Sequence, residues 1–336
     1  MSYTHLISRI IERGITKPHF RFAPSPNGKV TLGHLKGLVI LDQIRILTNG
    51  ALDLRFDDTN PLENYLPSNY ESVIDLAKSL DIRFDKVVYC SEHLEKYIDA
   101  VKILLDKGKA YFCNCKPNTG DFTLKCTCNR ESSAVEYSKL QNHPKDVVKF
   151  IPLKGEPYVI LRGVYNRWYP TMALQGPIDD YLQGVNVVLR GRDLESTSSR
   201  QQQIHEELYT EPYPLTEYWG RVSIWNSASG KQWTLSKSQL KNSCGFPSLE
   251  FFNLWGVTNQ MLKKFILAHG FTKNDIKMDL LKLTHCIVRN LPTSLGGPFE
   301  QGYCKINRQI GFYQKNYFLN YKSWVFHKYS ITPRST

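Results

Sequence analysis

Apolar and polar residues follow one another along this chain in two rhythms. His34 to Leu47 places Leu35, Leu38, Val39, Ile44 and Leu47 at near-helical spacing, and Asn49-Gly50 ends the run. ALDLRF, 51–56, alternates as a strand does and runs into Asp57-Asp58. Ahead of both, residues 18–33 read as a strand followed by a loop. Ser91 to Lys107 reads as a second amphipathic helix, with Ser91 as N-cap and Gly108 just past its end. Strand alternation returns in PYVILR, 157–162, and in VNVVLR, 185–190. Asp193 to Leu208 is polar and helix-like, and 246–290 reads as helical, for example Asn259 to Ala268. There is no internal repeat. Strand, glycine-containing loop, helix, strand is the opening of a nucleotide-binding α/β unit.

Composition narrows the class. With 336 residues the chain can bury two domains, or one large domain with an insertion. Its 41% hydrophobic and 22% charged residues are those of a globular protein. No apolar run approaches the ~18 residues of a membrane span, and the N-terminus lacks the apolar core of a secretory signal. The expected compartment is the cytoplasm, with an organellar address left open. A net charge of +12 favours a polyanionic partner, nucleic acid first, although a merely basic soluble protein would carry it too.

Residues 109–150 break the pattern, being polar and holding Cys113, Cys115, Cys126 and Cys128, half of the eight cysteines. They read as the body of an insertion. Four clustered thiolates fit tetrahedral Zn²⁺, although C-x-C is a less usual spacing than C-x₂-C; four reduced thiols are the alternative. From Phe299 onward ten aromatics and six basic residues face one acid. Such a tail can stack on or track RNA, or simply pack onto the body.

Two stretches carry candidate chemistry. In RFAPSPNGKVTLGHLKG, 21–37, Gly28 and Gly33 allow close backbone approach, Pro24 and Pro26 stiffen the lead-in, and the following helix points its positive end at the loop. An ordinary turn before a helix accounts for this stretch equally well. In QWTLSKSQLK, 232–241, Ser236, Lys237 and Ser238 offer an ammonium and two hydroxyls to phosphate, or form an exposed loop.

Taken together, these stretches resemble the class I aminoacyl-tRNA synthetases, and within them the glutamyl/glutaminyl group, in its archaeal-type glutamyl form. RFAPSPNGKVTLGH resembles the signature that ends in HIGH, and LRFDDTNP, 54–61, the next block. VNVVLRGRDL, 185–194, resembles a third, and WTLSKS the KMSKS loop. Order and spacing agree over roughly residues 18 to 290. The resemblance implies an α/β, Rossmann-type catalytic domain split by an acceptor-stem-binding insertion. Its expected divisions are 18–108 and 156–245 for the two catalytic halves and 109–155 for the insertion body. A helical stem-contact region at 246–290 and a basic aromatic tail at 291–336 follow, with no full anticodon-binding domain.

The reaction implied is activation of glutamate by ATP with Mg²⁺, then transfer to tRNA. His34 and Lys237 become the catalytic candidates; Pro26, Gly28, Thr31, Gly33, His34, Ser236 and Lys237 the ATP contacts. Arg21, Asp57, Met172 and Arg190 become the amino-acid contacts. Arg190 favours glutamate over glutamine, because a guanidinium fork matches a second carboxylate. A structural ion pair with Asp193 is the alternative for it. Three sites depart from the pattern: Thr31 replaces the first histidine of HIGH, Met172-Ala173 stand where relatives have Tyr-Asp, and Thr234 replaces the first lysine of KMSKS while Lys237 is kept. A monomer acting on the tRNA acceptor stem is expected, with a partner for anticodon recognition left open. Glutamyl transfer to a queuosine-type base, or a catalytically silent tRNA-binding paralogue, are the other readings.

Overall fold

The computed structural model describes residues 3–113, 140, 146–226, 231–234, 248–254 and 258–279. Its centre is a parallel sheet. Strand β1 (His19–Phe22) pairs with β2 (Ala51–Phe56) in the register His19↔Ala51, and β2 pairs with β3 (Val87–Tyr89). On the free edge of β1, the His19 N–H donates to Asn186 Oδ1 at 2.8 Å, and the Asn186 N–H donates to the His19 carbonyl at 3.2 Å. Asn186 leads into β8 (Val187–Gly191), which pairs in parallel with β9 (Leu215–Trp219). The spatial order is therefore β3-β2-β1-β8-β9, a doubly wound arrangement whose strand order reverses between β1 and β8.

Helices cover the sheet. α1 (Tyr3–Glu12) buries Leu6 and Ile10, one turn apart. α2 (Leu32–Thr48) joins β1 to β2 and buries residues along most of its length, so it runs through the interior. It stops as expected at Asn49, which takes the left-handed conformation at φ 49°, ψ 41°. Gly50 follows because a Cβ there would lie 2.6 Å from the Pro18 carbonyl oxygen. α3 (Pro67–Ser79) joins β2 to β3. Together with α7 (Leu249–Leu254) and α8 (Asn259–His269), these helices form one core around Leu38, Ile40, Leu54, Phe56 and Phe265.

From the segments on either side of β8 the chain builds a second core. α4 (Leu94–Asp106), α5 (Met172–Gln183) and α6 (Glu195–Leu208) pack against an antiparallel sheet of β4 (Ala110–Cys113), β5 (Val147–Phe150), β6 (Tyr158–Val164) and β7 (Arg167–Pro170). The turn from β6 to β7 sets Tyr165 and Asn166 at positive φ, as a tight two-residue hairpin requires. A last sheet holds β10 (Val222–Asn226) between antiparallel β11 (Lys231–Thr234) and parallel β12 (Ile276–Asp279). No helix among the described residues is long and apolar enough to cross a membrane.

Three expectations change. Ser91 does not cap α4. It sits in a 3₁₀ turn over Cys90–His93, where its N–H and hydroxyl both donate to Asp58, at 2.8 and 2.9 Å. The tertiary carboxylate replaces the local cap. The region 246–290, read as helical, contains strand β12, whose short apolar alternation is completed by pairing with β10. The boundary between 155 and 156 separates β5 from its partner β6, so residues 158–170 share a sheet with the insertion body.

Candidate active site

A cavity of about 800 Å³ opens beyond the carboxyl ends of β1, β2 and β8, at the reversal of strand order. The N-terminal turn of α2 forms one wall. Arg21, Thr31, Gly33, His34, Asp57, Met172 and Arg190 all line it. Residues from four separated stretches of sequence thus meet. Pro26 and Gly28 lie on the same loop, outside the cavity lining. Ser236 and Lys237 lie outside the described residues, as do Cys115, Cys126 and Cys128. Cys113 ends β4 and is buried. Among the described residues there is no cluster of metal-ligating side chains.

Thr31 is the buried N-cap of α2. Its backbone N–H donates to His34 Nδ1 at 2.9 Å, and its hydroxyl lies 3.0 Å from the same nitrogen. An amide N–H can only donate, so Nδ1 holds the lone pair and the ring proton sits on Nε2. The cap therefore fixes the tautomer of His34, a residue that lines the cavity. The loop ahead of α2 is braced from far along the chain. Thr31 forms a β-bridge with Ser248, Leu249 N–H donates to the Val30 carbonyl at 3.1 Å, and Lys29 pairs with Glu250.

Beneath the cavity lies a charged cluster. Asp180 on α5 is 1% exposed and accepts from Arg21 Nε at 3.0 Å and Arg55 Nη1 at 2.6 Å. Burial alone would push the Asp180 carboxyl up. Arg21, Arg55 and Arg190 together outweigh it and hold the group down to about 2. Arg55 Nε donates to Asp57 Oδ1 at 2.9 Å. Among the described residues, the terminal nitrogens of Arg21 and Asp57 Oδ2 have no hydrogen-bond partner.

Arg190 is 6% exposed, and its Nη1 donates to Gln201 Oε1 at 2.7 Å and Ser198 Oγ at 3.2 Å. Among the described residues no carboxylate lies within ion-pairing distance of it, so Asp193 is not its partner. Burial, then the like charge of Arg21, bring the Arg190 guanidinium down to about 10 against the pull of Asp180. Met172 opens α5 at the cavity, half exposed.

A second network underlies the first. Asp179, fully buried, lies 2.9 Å from His93 Nδ1 and accepts from Tyr97 at 2.8 Å and from the Cys90 thiol at 3.0 Å. The hydrogen bond to Asp179 raises the His93 pKa. On the far wall, buried Lys36 donates to the Gly220 carbonyl at 2.8 Å, and burial brings its ammonium down to about 8 against the pull of Asp275.

Sequence reasoning missed Arg55, Asp180, Gln201 and Lys36. Arg55 stood inside the quoted LRFDDTNP block. The signal for Asp179 and Asp180 was a pair of acids in the buried stretch of a helix, where an unpaired carboxylate is costly.

Residues 17–121 match the family described as tRNA synthetases class I (E and Q), catalytic domain. A glutamate–tRNA ligase of Archaeoglobus fulgidus is 28% identical over 78% of this chain and 54% of its own length. One from Methanosarcina barkeri is 30% identical over 78% of this chain and 52% of its own. The chain spans about half the length of the curated relatives it matches. Among solved structures, a glutamate tRNA ligase from Elizabethkingia meningosepticum, in complex with its amino acid, shares the fold. The TM-score is 0.54 and the identity 14%, covering 93% of this chain and 79% of that one. Over residues 17–121 the chain is thus similar to the catalytic domain of the class I tRNA synthetases of the E and Q group, within a longer likeness to archaeal glutamate–tRNA ligases.

Proposed function

We propose that this protein activates glutamate with ATP and transfers the glutamyl group to tRNA. One observation carries the reading: Arg21, Arg190 and Asp57 meet in one cavity at the N-terminus of α2. Glutamate has two carboxylates and one ammonium. Two guanidiniums with unused donors and one carboxylate with an unused oxygen are its complement. Within this cluster Arg21, Arg55 and Arg190 outnumber Asp57 and Asp180 by one positive charge, which matches the single net negative charge of glutamate.

The chemistry needs placement more than a covalent nucleophile. The α-carboxylate oxygen attacks the α-phosphorus of ATP in line; the new P–O bond forms as the bond to pyrophosphate breaks. A tRNA hydroxyl then attacks the activated carbonyl, and AMP leaves. The α2 N-terminus and the His34 Nε2–H supply positive potential at the phosphates, with Lys237 and Ser236 contributing from the WTLSKS stretch. Mg²⁺ entering with ATP would neutralise phosphate charge. The net charge of +12 is consistent with a tRNA partner. Cys113, Cys115, Cys126 and Cys128 have the chemistry of a structural Zn²⁺ set, which metal analysis of the purified protein tests.

The deciding experiment is ATP–pyrophosphate exchange with each of the twenty amino acids, with and without total tRNA. Glutamate-dependent exchange is expected, and its absence in both conditions sinks the proposal. Charging tRNA with and without queuosine identifies the accepting hydroxyl.

A further inference from the structure

Arg190 is oriented by groups that carry no charge. Its Nη1 donates to the Gln201 and Ser198 oxygens, and the Ser198 hydroxyl spends its own proton on the Leu194 carbonyl at 3.1 Å. Gln201 is 1% exposed, and its other amide end donates to the Met172 carbonyl at 2.8 Å. Both ends of the carboxamide are thereby specified: the nitrogen must face a carbonyl, the oxygen a guanidinium. The side chain lies across α5 at Gly176, where a Cβ would fall on the Gln201 amide, 2.8 Å from its Cδ. Glycine at 176 makes the seat, and glutamine at 201 fills it.

We propose that Gln201 is a positioning residue that aims Arg190 without neutralising it, and so sets the preference for a carboxylate over a carboxamide side chain in the substrate. This rests on the reading of the cavity as a glutamate site. A carboxylate at position 201 would hold Arg190 equally firmly and quench its charge. An amide holds it and leaves the charge for the incoming ligand. The same residue ties the fork to the first turn of α5, so Arg190 and the Met172 backbone move as one unit.

The test is ATP–pyrophosphate exchange by the full chain with total tRNA present, comparing parent, Gln201→Glu and Gly176→Ala. For Gln201→Glu, KM for glutamate rises about tenfold or more, the scale of one lost charged hydrogen bond. KM for ATP stays unchanged, and the glutamate-to-glutamine ratio of kcat/KM falls. Gly176→Ala, which evicts the amide from its seat, moves the same parameters in the same direction. Unchanged glutamate KM in both variants, or a parallel rise in the KM for ATP, overturns the proposal. A crystal structure of Gly176→Ala gives a reading independent of activity: a displaced Arg190 guanidinium supports it, and an unmoved one refutes it. A parent without glutamate-dependent exchange would instead reject the glutamate site itself, leaving that structural result to judge Gln201.

Discussion

At the scale of single residues, Asp180 decides whether the site can exist. It is the common acceptor of Arg21 and Arg55, and nearly all of it is out of water. Asp180→Asn leaves two buried guanidiniums facing a neutral amide, at a cost of about 3 kcal/mol in urea unfolding. The native carboxyl also makes stability depend on acidity. Its folded pKa of about 2 lies below the ordinary 3.8, so its contribution is present above pH 3.8 and is lost as pH falls toward 2. That loss amounts to roughly 2 kcal/mol. The parent's unfolding free energy should therefore drop across this window by more than that of Asp180→Asn. Equal slopes would contradict the assignment.

Arg21, His34, Asp57 and Arg190 were legible because each stands in a short contiguous block. Asp180 and Gln201 were not, since their meaning is a partner more than a hundred residues away or on another helix. The ion pair weighed for Arg190 with Asp193 looked reasonable at three residues' separation. The backbone carries Asp193 into a 3₁₀ turn, and Gln201 takes the guanidinium instead.

At the scale of elements, the sequence rhythm located α2, β1, β2 and β8 closely, because apolar spacing and a C-terminal Asn-Gly are local signals. α2 begins two residues before the expected His34, since Thr31 rather than the glycine stretch supplies the cap. It failed at Ser91, where a distant carboxylate outbid the local capping role, and at β12, where four residues become a strand only by pairing. Gly50 gives the sharpest test at this scale. Gly50→Ala forces its Cβ onto the Pro18 oxygen and within 2.9 Å of the Phe20 ring. The start of the β1–β2 ladder must open, and a loss of about 1–3 kcal/mol is expected in thermal or urea unfolding. A variant as stable as the parent would show that this turn can relax.

At the scale of the whole molecule, two cores share one site. The parallel sheet with α2, α3 and α8 supplies Arg21, His34 and Asp57. The second core's helices supply Met172, Asp180 and Gln201, and β8 supplies Arg190. Neither core alone holds all of these groups. The exact membership of β6 and β7 did not follow from the sequence, because antiparallel partners are chosen by packing, not by position in the chain.

The hydrogen bonds between His19 and Asn186 have a consequence for the time course of folding. They join residues 167 apart, whereas β1 and β2 are joined through one helix. Closing so long a segment costs chain entropy before any contact rewards it, so contacts of this separation form slowly. Most of the second core lies within that segment, only α6 following it, and its early collapse can shorten the closure. Pulse-labelled hydrogen exchange during refolding should protect the amides of β2 and β5 before those of β8. If β8 is protected as early as β2, the cavity is assembled together with its walls rather than after them.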